Sequence, residues 1–189
     1  MNHRLNLKFE QLERATQRLL ATTEALGPDA TLAPAPGKWA ATQVVHHLLL
    51  VENSITGYVQ KKLVAAEQLA KPSLLTRARI VLVNLLLRLP GLRFRAPRGV
   101  AELTHGVPVP ALPAIQAEWA ATRRRLEQLL NEYPGRLLDR AIYPHPRAGR
   151  ITIYQVLDHL VDHLLHHQQQ IDRIARSFKA SPPLAAARG

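Results

Sequence analysis

The sequence predicts an all-α protein: a four-helix bundle with long crossover connections, plus one apolar-basic helix inserted between the second and third bundle helices. Three observations carry this. Four long segments repeat apolar residues at steps of three and four, the spacing that lines one face of an α-helix. Turn-rich stretches of Gly and Pro separate them. Strand signals are weak: β-branched runs are short, aromatics make up 5% of the chain, and no Asn-Gly or Asp-Gly hairpin turn occurs.

Length and composition set the outer bounds. A chain of 189 residues with 47% apolar content can bury a real core in one domain. We expect that domain over residues 1–178, with an inserted helix and loop at 71–99 and a disordered Ala/Pro/Arg-rich tail at 179–189. Cysteine is absent. No disulfide can form, any metal must be held by His and carboxylate, and thiol chemistry requires an external thiol. The first residues lack the apolar stretch of a signal peptide, and no uncharged apolar run is long enough to span a bilayer, so a cytoplasmic location is expected. The formal charge of +11 suits an Arg-rich soluble surface and equally an anionic partner.

In chain order, residues 5–26 form the first helix, with Leu5, Phe9, Leu12, Ala15, Leu19, Thr22 and Leu26 on its inner stripe and Gly27-Pro28 ending it. Residues 27–38 are loop. The second helix spans 41–70 with Val44, Leu48, Val51, Ile55 and Tyr58 inward. His47 sits one turn from both Val44 and Val51 and also points inward, whereas His46 is rotated about 100° away and is expected at the periphery. Residues 73–89 are nearly all apolar apart from a narrow strip of Arg77, Asn84 and Arg88. A membrane-surface helix would look like this. So would a helix that covers a cleft or builds a dimer contact, and that reading is preferred. Residues 99–112 are a Pro-rich loop containing His105. The third bundle helix occupies 114–132 with Ile115, Trp119, Thr122, Leu126, Leu129 and Leu130 inward, and Arg123-Arg124-Arg125 is expected to be a solvated face. Residues 133–150 are a long connection.

The last helix carries the chemistry. Thr152 and Gln155 have capping-box spacing, flanked by the staple pair Ile151 and Val156, and the helix is expected to end near Ser177. Its inner stripe runs through Ile153, Leu157, Leu160, Leu164, Ile171 and Ile174, with His167 filling the one gap in the series. His163 lies one turn earlier on nearly the same side. Two histidines at i, i+4 can converge on one metal ion, and inward-facing His47 is the best third ligand. Three neutral imidazoles leave a dipositive ion uncompensated and one coordination position open. Such an ion lowers the pKa of bound water or holds a thiol as thiolate. The competing readings are buried structural histidines, or a His159/His163 pairing. His166 is expected at the rim and Gln170 in the cleft. Glu52 is expected to be a solvated charge, with an acceptor orienting a ligating ring as the alternative. His145, between two prolines, is expected to be structural.

Two stretches carry a resemblance. Gly37-Lys38-Trp39 followed by His47-Leu-Leu-Leu-Val-Glu52 resembles the second-helix signature of the DinB-like superfamily. Tyr143-Pro-His145 through Gly149 to Thr152, running into His163, His166-His167 and Gln170-Ile171, is similar to its second signature. The resemblance covers residues 5–65 and 112–176. It implies a four-helix bundle with a metal triad that maps onto His47, His163 and His167, and dimers are common in the family. Known activities in that family are bacillithiol- and mycothiol-dependent transferases or isomerases and metal-dependent hydrolases. The segment 71–99 departs from the family pattern. The expectation is therefore a metal-dependent enzyme, with zinc or nickel, acting on a small-molecule substrate as a homodimer. It would transfer a low-molecular-weight thiol to an electrophile, or hydrolyse a substrate. The alternative is a non-catalytic, stress-related protein whose basic helix meets a membrane or another anionic partner. No stacking-aromatic pattern supports nucleic acid.

Overall fold

The computed structural model describes residues 2–64, 69–89 and 108–180. They form α1 (His3–Glu24), α2 (Ala41–Val64), α3 (Leu74–Arg88), α4 (Leu112–Asn131) and α5 (Ile153–Ala180), with a hairpin of β1 (Tyr143–His145) and β2 (Gly149–Ile151) leading into α5. α1 packs along α5 and α2 along α4, and α2 also crosses α5, so these four close a bundle. The extra helix, α3, lies outside it against α5 and β2.

Local chemistry explains the ends. Asn2 caps α1 by accepting the Arg4 amide at 2.9 Å. Gly27, at φ +55°, turns the chain out of that helix in a conformation that glycine adopts without a Cβ penalty. The capping box at the start of α5 is formed: Thr152 Oγ1 accepts from the Gln155 amide at 3.3 Å, and Gln155 Oε1 accepts from the Thr152 amide at 3.0 Å. The staple residues Ile151 and Val156 are both buried. The inner stripe of α5, from Ile153 to Ile174, is buried with them, each large aliphatic contributing roughly 1.5–3 kcal/mol relative to exposure.

Several expectations shift. α2 stops short of residue 70. Residues 65–68 lie outside the described residues, and Ala70 is already out of the helix, its carbonyl accepting the Ala141 amide at 2.9 Å. α5 runs to Ala180 rather than Ser177. Thr16 and Thr23, not Ala15 and Thr22, are the enclosed members of α1, because the 3.6-residue period drifts from a strict three-four count along a long helix. The connection 133–150 contains the hairpin. Its strands are three residues each, too short to leave an alternating pattern, and it is organised by a side chain: His145 Nδ1 accepts the turn amides of Arg147 at 3.2 Å and Ala148 at 3.1 Å. Gly149, at φ +92°, closes the hairpin against α3, where a Cβ would approach Thr76 Oγ1 to 3.2 Å. The Pro-rich stretch around His105 and the tail beyond Ala180 lie outside the described residues.

Candidate metal centre

α2 and α5 cross so that three rings meet. The centroid separations are 5.5 Å for His47 and His163, 5.2 Å for His47 and His167, and 4.6 Å for His163 and His167. One nitrogen from each lies within 4.8 Å of the other two. Nitrogens bound at about 2.0–2.1 Å around a tetrahedral ion stand about 3.3 Å apart. His163 Nε2 and His167 Nε2 are already 3.0 Å apart, and a nitrogen of His47 lies within 4.8 Å of the ligand atom of each. The triad therefore has the geometry to hold one metal ion.

Hydrogen bonding assigns the nitrogens. His167 Nδ1–H donates to Gln170 Oε1 at 2.9 Å, which turns the Nε2 lone pair toward His163. This is the orienting contact that ligating histidines usually receive. Gln170, one turn along α5, thus lines the cleft as a partner of His167. His47 Nδ1 is enclosed and has no hydrogen-bond partner among the described residues. A buried orphan nitrogen beside two converging imidazoles is the condition a bound ion relieves. Burial also keeps the rings uncharged, as ligation requires. It pushes His47 down to about 4 and His167 down to about 3, and it takes His163 well below the ordinary histidine value, with the neighbouring imidazoles adding to the effect.

The remaining histidines are placed by different contacts. Because His145 Nδ1 accepts two amides, its Nε2 carries the proton and donates to His159 Nε2 at 3.3 Å; His159 Nδ1–H then donates to Asn84 Oδ1 of α3 at 3.3 Å. His159 stacks on His163 with ring centroids 5.8 Å apart, so it flanks the triad. Burial lowers His145 to about 4 and His159 to about 3. His166 Nδ1–H donates to the Leu87 carbonyl at 3.2 Å, fixing α3 to the rim. His46, expected at the periphery, is 6% exposed, because the first turns of α2 are enclosed on nearly all sides.

Two charged residues go elsewhere than expected. Glu52 is 2% exposed and is neither solvated nor turned to His47. It accepts from Trp119 Nε1 at 2.9 Å and from Arg123 Nε and Nη2, both at 2.8 Å. Arg123, expected on a solvated face, is buried with it and also donates to Thr16 Oγ1 at 2.9 Å. A signal existed: Arg123 sits four residues after Trp119 and three before Leu126, in core register.

The triad opens on a cavity of about 1120 Å³. Val51, Ile55, Val83, Leu86, Leu87 and Ile174 give it an apolar wall, and Lys38, Arg147 and Arg173 are the charged side chains among its described lining, with no carboxylate. Trp39 closes on the triad from the loop before α2, its ring 5.3 Å from that of His47. Such a space admits a small molecule and favours negative charge.

Neither the curated proteins nor the solved structures offer a match to this chain. The family model of the DinB superfamily, however, matches residues 11–171, which run from α1 through the histidine-bearing part of α5. With its bundle and its pair of signature stretches, this chain belongs to the DinB superfamily.

Proposed function

We propose that the chain is a metal-dependent enzyme that transfers a low-molecular-weight thiol to an electrophilic small molecule. The observation that carries the reading is the neutral His47, His163 and His167 set, gathered at the floor of a cavity that holds three cations and no described acid. His47, His163 and His167 would hold a divalent ion, zinc or nickel by their all-nitrogen donors, and its Lewis acidity would favour a thiolate or a hydroxide at neutral pH. The chain's own residues do the rest. Gln170 fixes the tautomer of His167, and the aliphatic wall from α2, α3 and α5 excludes water around the reacting atoms. Lys38, Arg147 and Arg173 draw in an anionic thiol or substrate. The chain has no cysteine, so the nucleophilic sulfur comes from outside. Hydrolysis is the nearest variant, and the same geometry supports it.

The test is metal analysis of untagged protein beside His47→Ala and His163→Ala, paired with an assay of thiol consumption in the presence of an epoxide or alkyl halide. The expected result is about one zinc or nickel per chain, lost in both variants together with turnover. Wild-type protein that binds neither metal when offered either in excess would end the proposal. Metal binding with ester hydrolysis but no thiol consumption would move the assignment to the hydrolytic variant.

A further inference from the structure

α3 has two faces with different fates. Ile80 and Leu87 are buried, and Val83, Leu86 and Leu87 line the cavity. Its inner side is clamped to α5: besides the contacts from His159 and His166, Gln169 Nε2 donates to the Arg88 carbonyl at 3.2 Å and Arg88 Nε donates to Asp162 at 2.6 Å. The outer side is apolar and open. Leu74 is 83% exposed, Val81 66%, Leu85 56% and Leu82 54%. At about 100° per residue these four and Ala78 fall within an arc of about 100°. Arg77 lies just beyond one edge of that arc and Arg79 beyond the other. Both are exposed, and neither has an ion-pair partner among the described residues. Scattered surface leucines require no explanation, but a continuous aliphatic face with a basic border marks an interaction surface.

We infer that this face docks on an anionic lipid surface, with the α3 axis in the plane of the interface. Charge selects the occupant. α3 contains no acidic residue, so a second copy of the helix would offer Arg77 and Arg79 no counter-ion, whereas phosphate headgroups satisfy them on both sides of the aliphatic strip. The whole chain, at +11, is attracted in the same sense. No helix of the described residues is long and apolar enough to cross a membrane, so the contact is lateral. The clamp to α5 keeps the outer face presented outward, and it holds the cavity wall formed by the other side of α3 beside the lipid.

The experiment is co-sedimentation of the full chain with phosphatidylglycerol/phosphatidylcholine vesicles and with pure phosphatidylcholine, at low and high salt. Arg77→Glu/Arg79→Glu and Leu82→Glu/Leu85→Glu are run alongside. All four side chains are exposed, so the variants keep the fold, which unchanged metal content and circular dichroism verify. Expected are binding to the anionic vesicles alone, a loss of about tenfold or more in each double variant, and weakening by salt. Failure to bind anionic vesicles, or binding unchanged in either variant, would overturn the inference. So would a concentration-dependent dimer that Leu82→Glu/Leu85→Glu dissolves while vesicles are ignored, since that would make a second copy the occupant.

Discussion

His47 and Glu52 leave α2 on successive turns and enter two polar clusters. Around Glu52 the charges are matched. Its two oxygens take an indole N–H and a guanidinium, and Arg123 Nη1 pairs with Glu13 at 2.8 Å as an ion pair without a hydrogen bond. Around His47 the partners are missing. Several imidazoles face one another, and among the described residues no acid lies between them and one enclosed nitrogen has nothing to bond. Both clusters are buried in the same bundle, so burial alone does not separate scaffold from site. What separates them is charge: a set of paired opposite charges locks helices together, whereas facing neutral imidazoles with no counter-charge leave their lone pairs open to a cation.

The sharpest test of that contrast is acid. The histidines at and beside the triad bind protons near pH 6.5 once unfolded, but the folded rings of His47 and His145 do so at about 4 and those of His159 and His167 at about 3. Between those values the unfolded chain holds more protons. The stability of metal-free protein should therefore be complete above about pH 6.5 and fall as pH drops, by about 1.4 kcal/mol per pH unit for each ring. Thermal melts of chelated protein from neutral pH downward measure the slope, and His145→Gln should remove one ring's share. A flat profile would mean that the native rings take up protons as readily as the unfolded ones and that the fold does not hold them neutral for a metal. Next in size is Arg123→Ala, which leaves the Glu52 carboxylate buried and unpaired. It should cost about 3–5 kcal/mol in urea unfolding with metal content intact. A cost under about 1 kcal/mol would show that the Glu52 cluster is not the lock described.

The histidine side should give the reverse pattern. Replacing His47 with Leu swaps an unsatisfied ring for an apolar side chain of similar size, so metal-free stability should hold or rise slightly. What disappears is ligand-linked stabilisation. Wild-type protein at a free metal concentration one hundred times its dissociation constant gains about 2.7 kcal/mol, and the variant should gain nothing. Melting curves with and without zinc or nickel measure both quantities. A His47→Leu protein that unfolds without metal as readily as Arg123→Ala would erase the distinction between the two clusters.

How much of this was legible depended on whether a residue's role followed its own helix. The inner stripe of α5, the capping box and the three convergent histidines could be read because core-facing positions and the converging imidazoles share one periodicity, and His167 stood out as the gap in an aliphatic series. The Glu52–Arg123 pair could not. Its members are 71 residues apart and meet only once α2 and α4 pack, and an arginine in core register reads as surface unless its partner is known. His46 was misplaced for another reason. The start of α2 is enclosed nearly all round, so the amphipathic pattern that assigns faces fades there. The hairpin escaped because His145, rather than strand propensity, organises it.

The finest test falls on Gln170, whose side chain touches the triad without belonging to it. Its amide oxygen takes the His167 Nδ1 proton at 2.9 Å on a partly exposed part of α5. Gln170→Ala leaves His167 a ligand but frees its ring and tautomer, so metal affinity should fall about tenfold while stability without metal changes by less than about 0.5 kcal/mol. Gln170→Glu preserves an acceptor at that point and should restore most of the affinity, a rescue that a purely packing role would not give. Competitive chelator titration reads the affinity and urea unfolding the stability. Should Gln170→Ala weaken folding and leave affinity alone, the residue would belong with Glu52 as part of the lock, and the line between scaffold and site would have to be drawn closer to the three rings themselves.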